Sequence, residues 1–190
     1  YEVKYKGIKN KRANVTYNIA ERESYIIDTI IYNTGGNKVM MSVLVGGKRN
    51  SLIKAGDIYD QSKLTAERER IENIMKNNGY YTFSRQFVEY NVYRDPDTTN
   101  LALEIIINKP QDAKNHKRYK LDKVNFTTDV NTQVGGANRT EEKVNSINYF
   151  YYDYSYRKKI LDQRVFIRPN EFYSLEKTLN TQRHLANLDM

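Results

Sequence analysis

Two short motifs each occur twice, in the same order, with different spacings. Tyr25-Ile26-Ile27-Asp28-Thr29-Ile30 and Tyr119-Lys120-Leu121-Asp122-Lys123-Val124 both read Tyr-x-apolar-Asp-x-apolar and lie 94 residues apart. Gly56-Asp57-Ile58-Tyr59 and Asn170-Glu171-Phe172-Tyr173 both read small-acid-apolar-Tyr and lie 114 residues apart. The helical positions Ile71 and Ile74 recur as Leu185 and Leu188 at that second spacing. Ordered repetition on this scale limits the chain to tandem copies of a small unit. The extra 20 residues place an insertion in the second copy, at about residues 129–168. It contains the run Asn148-Tyr149-Phe150-Tyr151-Tyr152-Asp153-Tyr154-Ser155-Tyr156.

A third, partial copy opens the chain. Asn14 to Ile19 alternates, with Val15, Tyr17 and Ile19 on one face, as a half-buried strand does. A polar link and a Tyr motif follow it. Leu101 to Ile107 is likewise followed by the polar stretch Asn108 to Arg118 and the next Tyr motif. Glu2 to Lys6 and Ala13 to Ile19 therefore read as the tail hairpin of a preceding module, turning near Lys9 to Arg12. Residues 1–22 form that tail, 23–112 a complete module, and 113–190 a partial module lacking its last two strands.

The complete module can be read in order. Tyr25 to Tyr32 is apolar and β-branched, a first strand. Thr34-Gly35-Gly36-Asn37 breaks it, and Lys38 to Val45 is a short helix closed by Gly46-Gly47. Asp60 or Ser62 caps a second helix running to about Asn77, with Leu64, Ile71, Ile74 and Met75 in one stripe. Glu72 and Lys76 pair at i,i+4, and Gly79 ends the helix. Phe87 to Arg94 alternates as a strand, Asp95-Pro96-Asp97-Thr98 turns, and Leu101 to Asn108 returns. The order is β-α-α-β-β.

Composition excludes several classes. No apolar run approaches 18 residues, so no segment reads as a membrane-spanning helix. Cysteine is absent, which removes disulfides and thiolate metal sites. The formal charge of +8 permits nucleic acid, anionic lipid or acidic polypeptide as partner. The basic residues are dispersed among turns, as on a solvated surface. His116 and His184 are the only histidines, and neither has a second at ligand spacing. Gly46-Gly47-Lys48 lacks the upstream glycine and the following Ser or Thr of a phosphate loop. Asp28 and Asp122 hold equivalent repeat positions, which favours a structural role over a unique catalytic acid. No catalytic residue, cofactor or metal is expected, and enzyme activity is not.

The tandem β-α-α-β-β order resembles the POTRA domains of outer-membrane assembly proteins of the BamA and TamA type, the surface antigen family. The motifs are Gly56-Asp57-Ile58-Tyr59 before the helix, Glu69-Arg70-Ile71 within it, and Asn78-Gly79-Tyr80-Tyr81-Thr82-Phe83 after it. The second copy adds Ile167 to Ser174 and Thr181 to Leu188. The resemblance covers nearly the whole chain and fits membrane-proximal repeats. It implies an α+β fold of tandem modules, each a three-stranded mixed sheet covered on one face by two helices. It also implies the periplasm, and a parent protein anchored by a C-terminal β-barrel outside this chain.

In that family fold the strand after the second helix, here about Gln86 to Tyr93, is a sheet edge. An incoming extended chain can pair with such an edge. Arg85, Phe87, Glu89 and Asn91 form the expected readout face. The expected partners are unfolded outer-membrane protein chains or periplasmic accessory proteins, not nucleic acid. An alternative is a docking module for one dedicated partner in secretion or cell division. Tyr151, Tyr152, Tyr154 and Tyr156 are candidate anchors of a partner loop. The same run can equally be a hairpin lying against the module, or a base-stacking segment backed by Arg157, Lys158 and Lys159.

Overall fold

The computed structural model describes residues 2–8, 12–20, 23–111, 113–128, 138–152 and 157–187. The chain opens on an antiparallel hairpin, β1 (Glu2–Ile8) and β2 (Arg12–Asn18), in register from Glu2 opposite Asn18 to Ile8 opposite Arg12.

The next unit contains β3 (Ile26–Asn33), α1 (Lys38–Gly46), α2 (Gln61–Asn77), β4 (Val88–Arg94) and β5 (Asn100–Ile107). Its sheet has the order β3-β5-β4, with β3 parallel and β4 antiparallel to the central strand. Asp28 is skipped in the β3–β5 register, since Ile27 faces Leu101 and Thr29 faces Ala102. It is the extra residue of a bulge. The Asn37 side chain accepts from the Met40 N–H to start α1, and Asp60 accepts from the Ser62 N–H to start α2. Gly79, at φ 94°, supplies the left-handed step that ends α2.

Alternation along β5 sets the layers. Leu101, Leu103, Ile105 and Ile107 are buried among Met40 and Leu44 of α1, Leu64, Ile71 and Met75 of α2, and Val88 of β4. Both helices therefore cover one face of the sheet, as expected. Ala102, Glu104 and Ile106 face the other way. The expected strand start at Phe87 is corrected. Arg85–Phe87 is a 3₁₀ turn, and the strand begins at Val88.

A buried charge pair escaped sequence reading. Glu67 lies on the α2 stripe and is fully buried. Arg70 Nε and Nη2 both donate to its carboxylate, at 2.7 and 2.5 Å. The Ser51 hydroxyl and the Leu52 N–H donate to it at 2.8 and 2.9 Å. Arg70 also donates to the Gly47 carbonyl at 3.1 Å. This group fastens the 47–53 loop to α2, alongside Ile53, which is buried in one cluster with Leu64 of α2.

The second sheet contains β6 (Asn125–Thr127), β7 (Thr140–Val144) and β8 (Ile147–Tyr151), in the order β6-β8-β7. β8 is parallel to β6 and antiparallel to β7. The arrangement repeats that of the first sheet, but its hairpin comes from the insertion and precedes α3 (Lys158–Asp162) and α4 (Leu175–Ala186). The sequence led us to expect only the front of a module here. Val144 faces Ile147 across a two-residue turn in which Asn145 and Ser146 have φ 47° and 70°, the sign pattern of a type I′ hairpin. Ile147, Tyr149, Val124, Leu161 and Val165 form its core.

The repeated motifs meet in space. The Ile27 N–H donates to the Asp57 carbonyl, Gly56 N–H to Ile27, and Tyr59 N–H to Tyr25, at 2.8–2.9 Å. In the second copy Leu121 donates to Glu171, Asn170 to Leu121, and Tyr173 to Tyr119, at 2.6–2.9 Å. Gly56 and Asn170 have φ 92° and 66°. The "small" position of the motif is thus the left-handed corner that Gly and Asn tolerate.

The end of α2 packs on the second copy. The Tyr119 N–H donates to the Gly79 carbonyl at 2.8 Å, and Arg118 Nε to the Asn78 carbonyl at 2.8 Å. The Arg118 guanidinium stacks 3.7 Å from the Phe172 ring centre. Asn77 Oδ1 accepts from the Glu176 N–H and the Ser174 hydroxyl at the start of α4. Tyr81 meets the edges of Tyr119 and Tyr173.

Two outcomes follow. Glu67→Ala strands a buried guanidinium, so urea denaturation should show a loss of about 3–5 kcal/mol. At Gly79 a Cβ would lie 3.1 Å from the Phe172 ring at a positive φ. Gly79→Val should cost about 1–3 kcal/mol and accelerate hydrogen exchange at the Tyr119 amide.

Candidate functional site

β4 pairs only with β5 among the described strands, so its outer edge is open. Val88, Tyr90 and Val92 turn toward the helices. Tyr90 is anchored there, its hydroxyl donating to the Leu64 carbonyl at 2.9 Å with the Arg68 guanidinium 5.0 Å from its ring centre. Burial pushes the Tyr90 phenol far above its usual range. Anchored by this inward row, β4 exposes Glu89, Asn91 and Tyr93 on the uncovered face.

That face has a polar centre at Glu104, the one acid in the apolar run of β5. Its carboxylate accepts from Asn33 Nδ2 at 2.8 Å, the Tyr93 hydroxyl at 2.8 Å and Asn91 Nδ2 at 3.3 Å. These bonds, the one from Asn33 first, hold the Glu104 carboxyl below its ordinary value. The three strands of the sheet are stitched together on the side the helices leave bare. Exposed Ile31 and partly covered Ile106 flank the cluster.

The structure separates the four residues expected to form one readout face. Glu89 and Asn91 share it. Arg85 instead donates through Nη1 to Glu69 at 2.8 Å and through its N–H to Glu72 at 3.3 Å, which ties it to α2. Phe87 stacks on His116 and Phe83, with ring centres 4.7 and 5.7 Å away. The 3₁₀ turn rotates both side chains off the strand's alternation. His116 is a buried packing histidine whose Nε2 lies 2.8 Å from the Asn108 carbonyl. Gln86, Phe87, Asn108, Lys109, Pro110 and Gln111 line a groove at the entry to β4. Tyr93 and Glu104 are the members that sequence reading missed. Tyr93 continues the 89, 91 alternation, and a lone acid among Leu and Ile on a strand was the other available signal.

The tyrosine run is a hairpin strand as far as it is described. The Tyr151 hydroxyl donates to Glu142 at 3.1 Å and accepts from Lys158 Nζ at 3.0 Å. The Arg139 guanidinium lies 4.4 Å from the Tyr152 ring centre. Tyr154 and Tyr156 lie outside the described residues. The second histidine, His184, packs on Phe166 with its Nδ1 3.1 Å from Arg164 Nη1.

The family model POTRA, described as "Surface antigen variable number repeat", matches residues 34–109. The chain carries a POTRA domain. The match takes in α1, α2, β4 and β5. A crystal structure of Haemophilus influenzae BamA POTRA3-5 aligns over 98% of this chain and 59% of its own length, with 16% identity and a TM-score of 0.44. The chain thus spans about three-fifths of that POTRA array. POTRA1-2 of the periplasmic domain of Omp85 from Anabaena aligns over 88% of this chain and 79% of its own, with 8% identity and a TM-score of 0.37. No curated protein matches the chain in sequence. Among the described residues no helix is long and apolar enough to cross a membrane. None of those residues forms a group of three or more His, Asp or Glu suited to a metal ion.

The Glu104 cluster fixes a pH dependence. A carboxyl whose pKa is lowered by folding contributes stability above its unfolded pKa, and that contribution is lost as pH falls through the folded value. NMR titration should place Glu104 below its ordinary range, and Asn33→Ala with Tyr93→Phe should return it there. Glu104→Gln should remove this part of the acid dependence of unfolding.

Proposed function

We propose that this chain is a periplasmic polypeptide-binding and scaffolding region of an outer-membrane β-barrel protein assembly factor. It takes client chains or accessory proteins by adding their extended segments to β4. The observation that carries this reading is the open β4 edge of a POTRA domain, beside an uncovered sheet face bearing Glu89, Asn91 and Tyr93. An edge strand offers main-chain donors and acceptors that pair with little regard for sequence. Such tolerance suits many unfolded clients. The face beside the edge supplies selectivity, with Glu104, Asn91 and Tyr93 presenting polar atoms and Ile31 an apolar surface. In this reading the groove at Gln86, Phe87 and Pro110 receives the end of the added strand. The parent is held at the outer membrane by a barrel that is not in this chain.

Photo-crosslinking groups at Glu89, Asn91 and Tyr93, placed one at a time in the whole parent protein in cells, test the proposal. Unfolded barrel chains should be captured at all three, and far less at Thr65 on the exposed side of α2. Capture of a single accessory protein and no barrel chain would instead make this a dedicated docking module.

A further inference from the structure

Every acid on α2 has a cation partner. Glu67 is bound by Arg70, Glu69 by Arg85 and Glu72 by Lys76. The acids on the far side of the same sheet are held differently. Glu104 takes its three bonds from Asn33, Asn91 and Tyr93, all neutral donors. These bonds fix the carboxylate in place and keep it ionised without cancelling its charge. Glu89 is exposed on the same face. Asp28, in the β3 bulge, accepts from the Thr29 hydroxyl, and Asp95 from the Asp97 N–H. Among the described residues no Lys or Arg pairs with any of these four acids.

This face runs against the charge of the chain as a whole. The sequence carries 31 basic and 23 acidic residues. Yet the strand register turns Glu89 and Glu104 to the uncovered face, and no Lys or Arg. Asp28 and Asp95 carry the acidic surface on to a hollow of about 380 Å³ beside Tyr93. Arg94 also lines that hollow, but its guanidinium is stacked 4.8 Å from the Tyr25 ring centre.

A strand on the β4 edge meets this surface in a fixed pattern. Side chains paired across two strands lie on the same side, and successive ones alternate. Every second residue of the added segment therefore lies beside Glu89, Asn91 or Tyr93. The residues between them point to the helix side, where the acids of α2 are already paired.

We infer that the segment added to β4 is cationic on one side, carrying Lys or Arg at alternate positions directed onto the uncovered face. This rests on strand addition at β4. A cation opposite Glu89 meets that carboxylate directly. One opposite Asn91 reaches across to Glu104, two strand spacings or roughly 10 Å away at the backbone. The Tyr93 ring, 53% exposed, gives the apolar stem of a long cationic side chain a surface to lie on. Acidic segments are rejected, since like charges in cross-strand positions repel.

The test titrates the isotope-labelled chain with three short peptides that alternate Val with Lys, with Gln or with Glu. NMR shifts of the β4 amides give each Kd. A chain of net charge +8 attracts the Glu peptide at long range, so a Lys preference must arise at this face. The Lys peptide should bind about fivefold tighter than the Gln peptide, as two cross-strand charge pairs supply, and tighter still than the Glu peptide. The advantage should shrink in high salt. Glu89→Gln with Glu104→Gln should bring the three peptides to within about twofold. Glu89→Gln alone, which removes no hydrogen bond among the described residues, should lose part of the preference, and Glu69→Gln on α2 none of it. Equal binding of the three peptides along β4, a preference for Glu, or a Lys preference untouched by these face substitutions overturns the inference and leaves strand addition standing. No shift along β4 with any peptide overturns strand addition, and the inference falls with it.

Discussion

Three backbone hydrogen bonds between the start of the first strand and the segment before the second helix recur in both copies, and much of the architecture hangs on them. They join Tyr25 and Ile27 to Gly56, Asp57 and Tyr59, and Tyr119 and Leu121 to Asn170, Glu171 and Tyr173. The clip fixes where the second helix begins relative to the sheet. It needs a residue that accepts a positive φ at its corner, which Gly56 supplies without strain and Asn170 with little. It leaves the Tyr25 or Tyr119 side chain and the Ile58 or Phe172 side chain exposed at a pole of the module, while Tyr59 packs against the core. In the second copy this pole is the surface on which the end of α2 packs.

The sheet's asymmetry follows from helices covering one face only. Tyr90 and Val88 hold β4 to the helices, and Glu67 with Arg70 holds the loop before α2 to the same layer. The opposite face lacks an apolar layer. A polar cluster centred on Glu104 links β3, β5 and β4 there instead. Hydrogen bonds can hold a wet sheet face, so no further layer is required over it. The open face and the open edge are therefore products of how the fold is stabilised.

Much of this was legible in the sequence. The two repeats were visible, as was the β-α-α-β-β order, because periodicity, Asp60 as a cap and Gly79 as a stop are local signals. The role of the repeated motifs was not visible, because their two halves lie 31 residues apart in the first copy and 51 in the second. Arg85 and Phe87 were misplaced because a single 3₁₀ turn breaks a strand's alternation without changing composition. Glu67 reads as one more surface glutamate on a charged helix. Only the partners brought by Ser51, Leu52 and Arg70 make it a buried one.

The inserted hairpin draws the line most clearly. Residue order alone established that an insertion of about twenty residues interrupts the second copy, and that it is rich in tyrosine. It determined the tandem α+β plan for the same reason, since short-range patterns of apolar residues, caps and turns encode elements and their order. That β7 and β8 pair beside β6 in the positions β4 and β5 hold beside β3 is a tertiary outcome. Strand pairing is a contact between distant segments, set by which edge is open and which apolar face needs cover. Neither can be read from the strand's own residues.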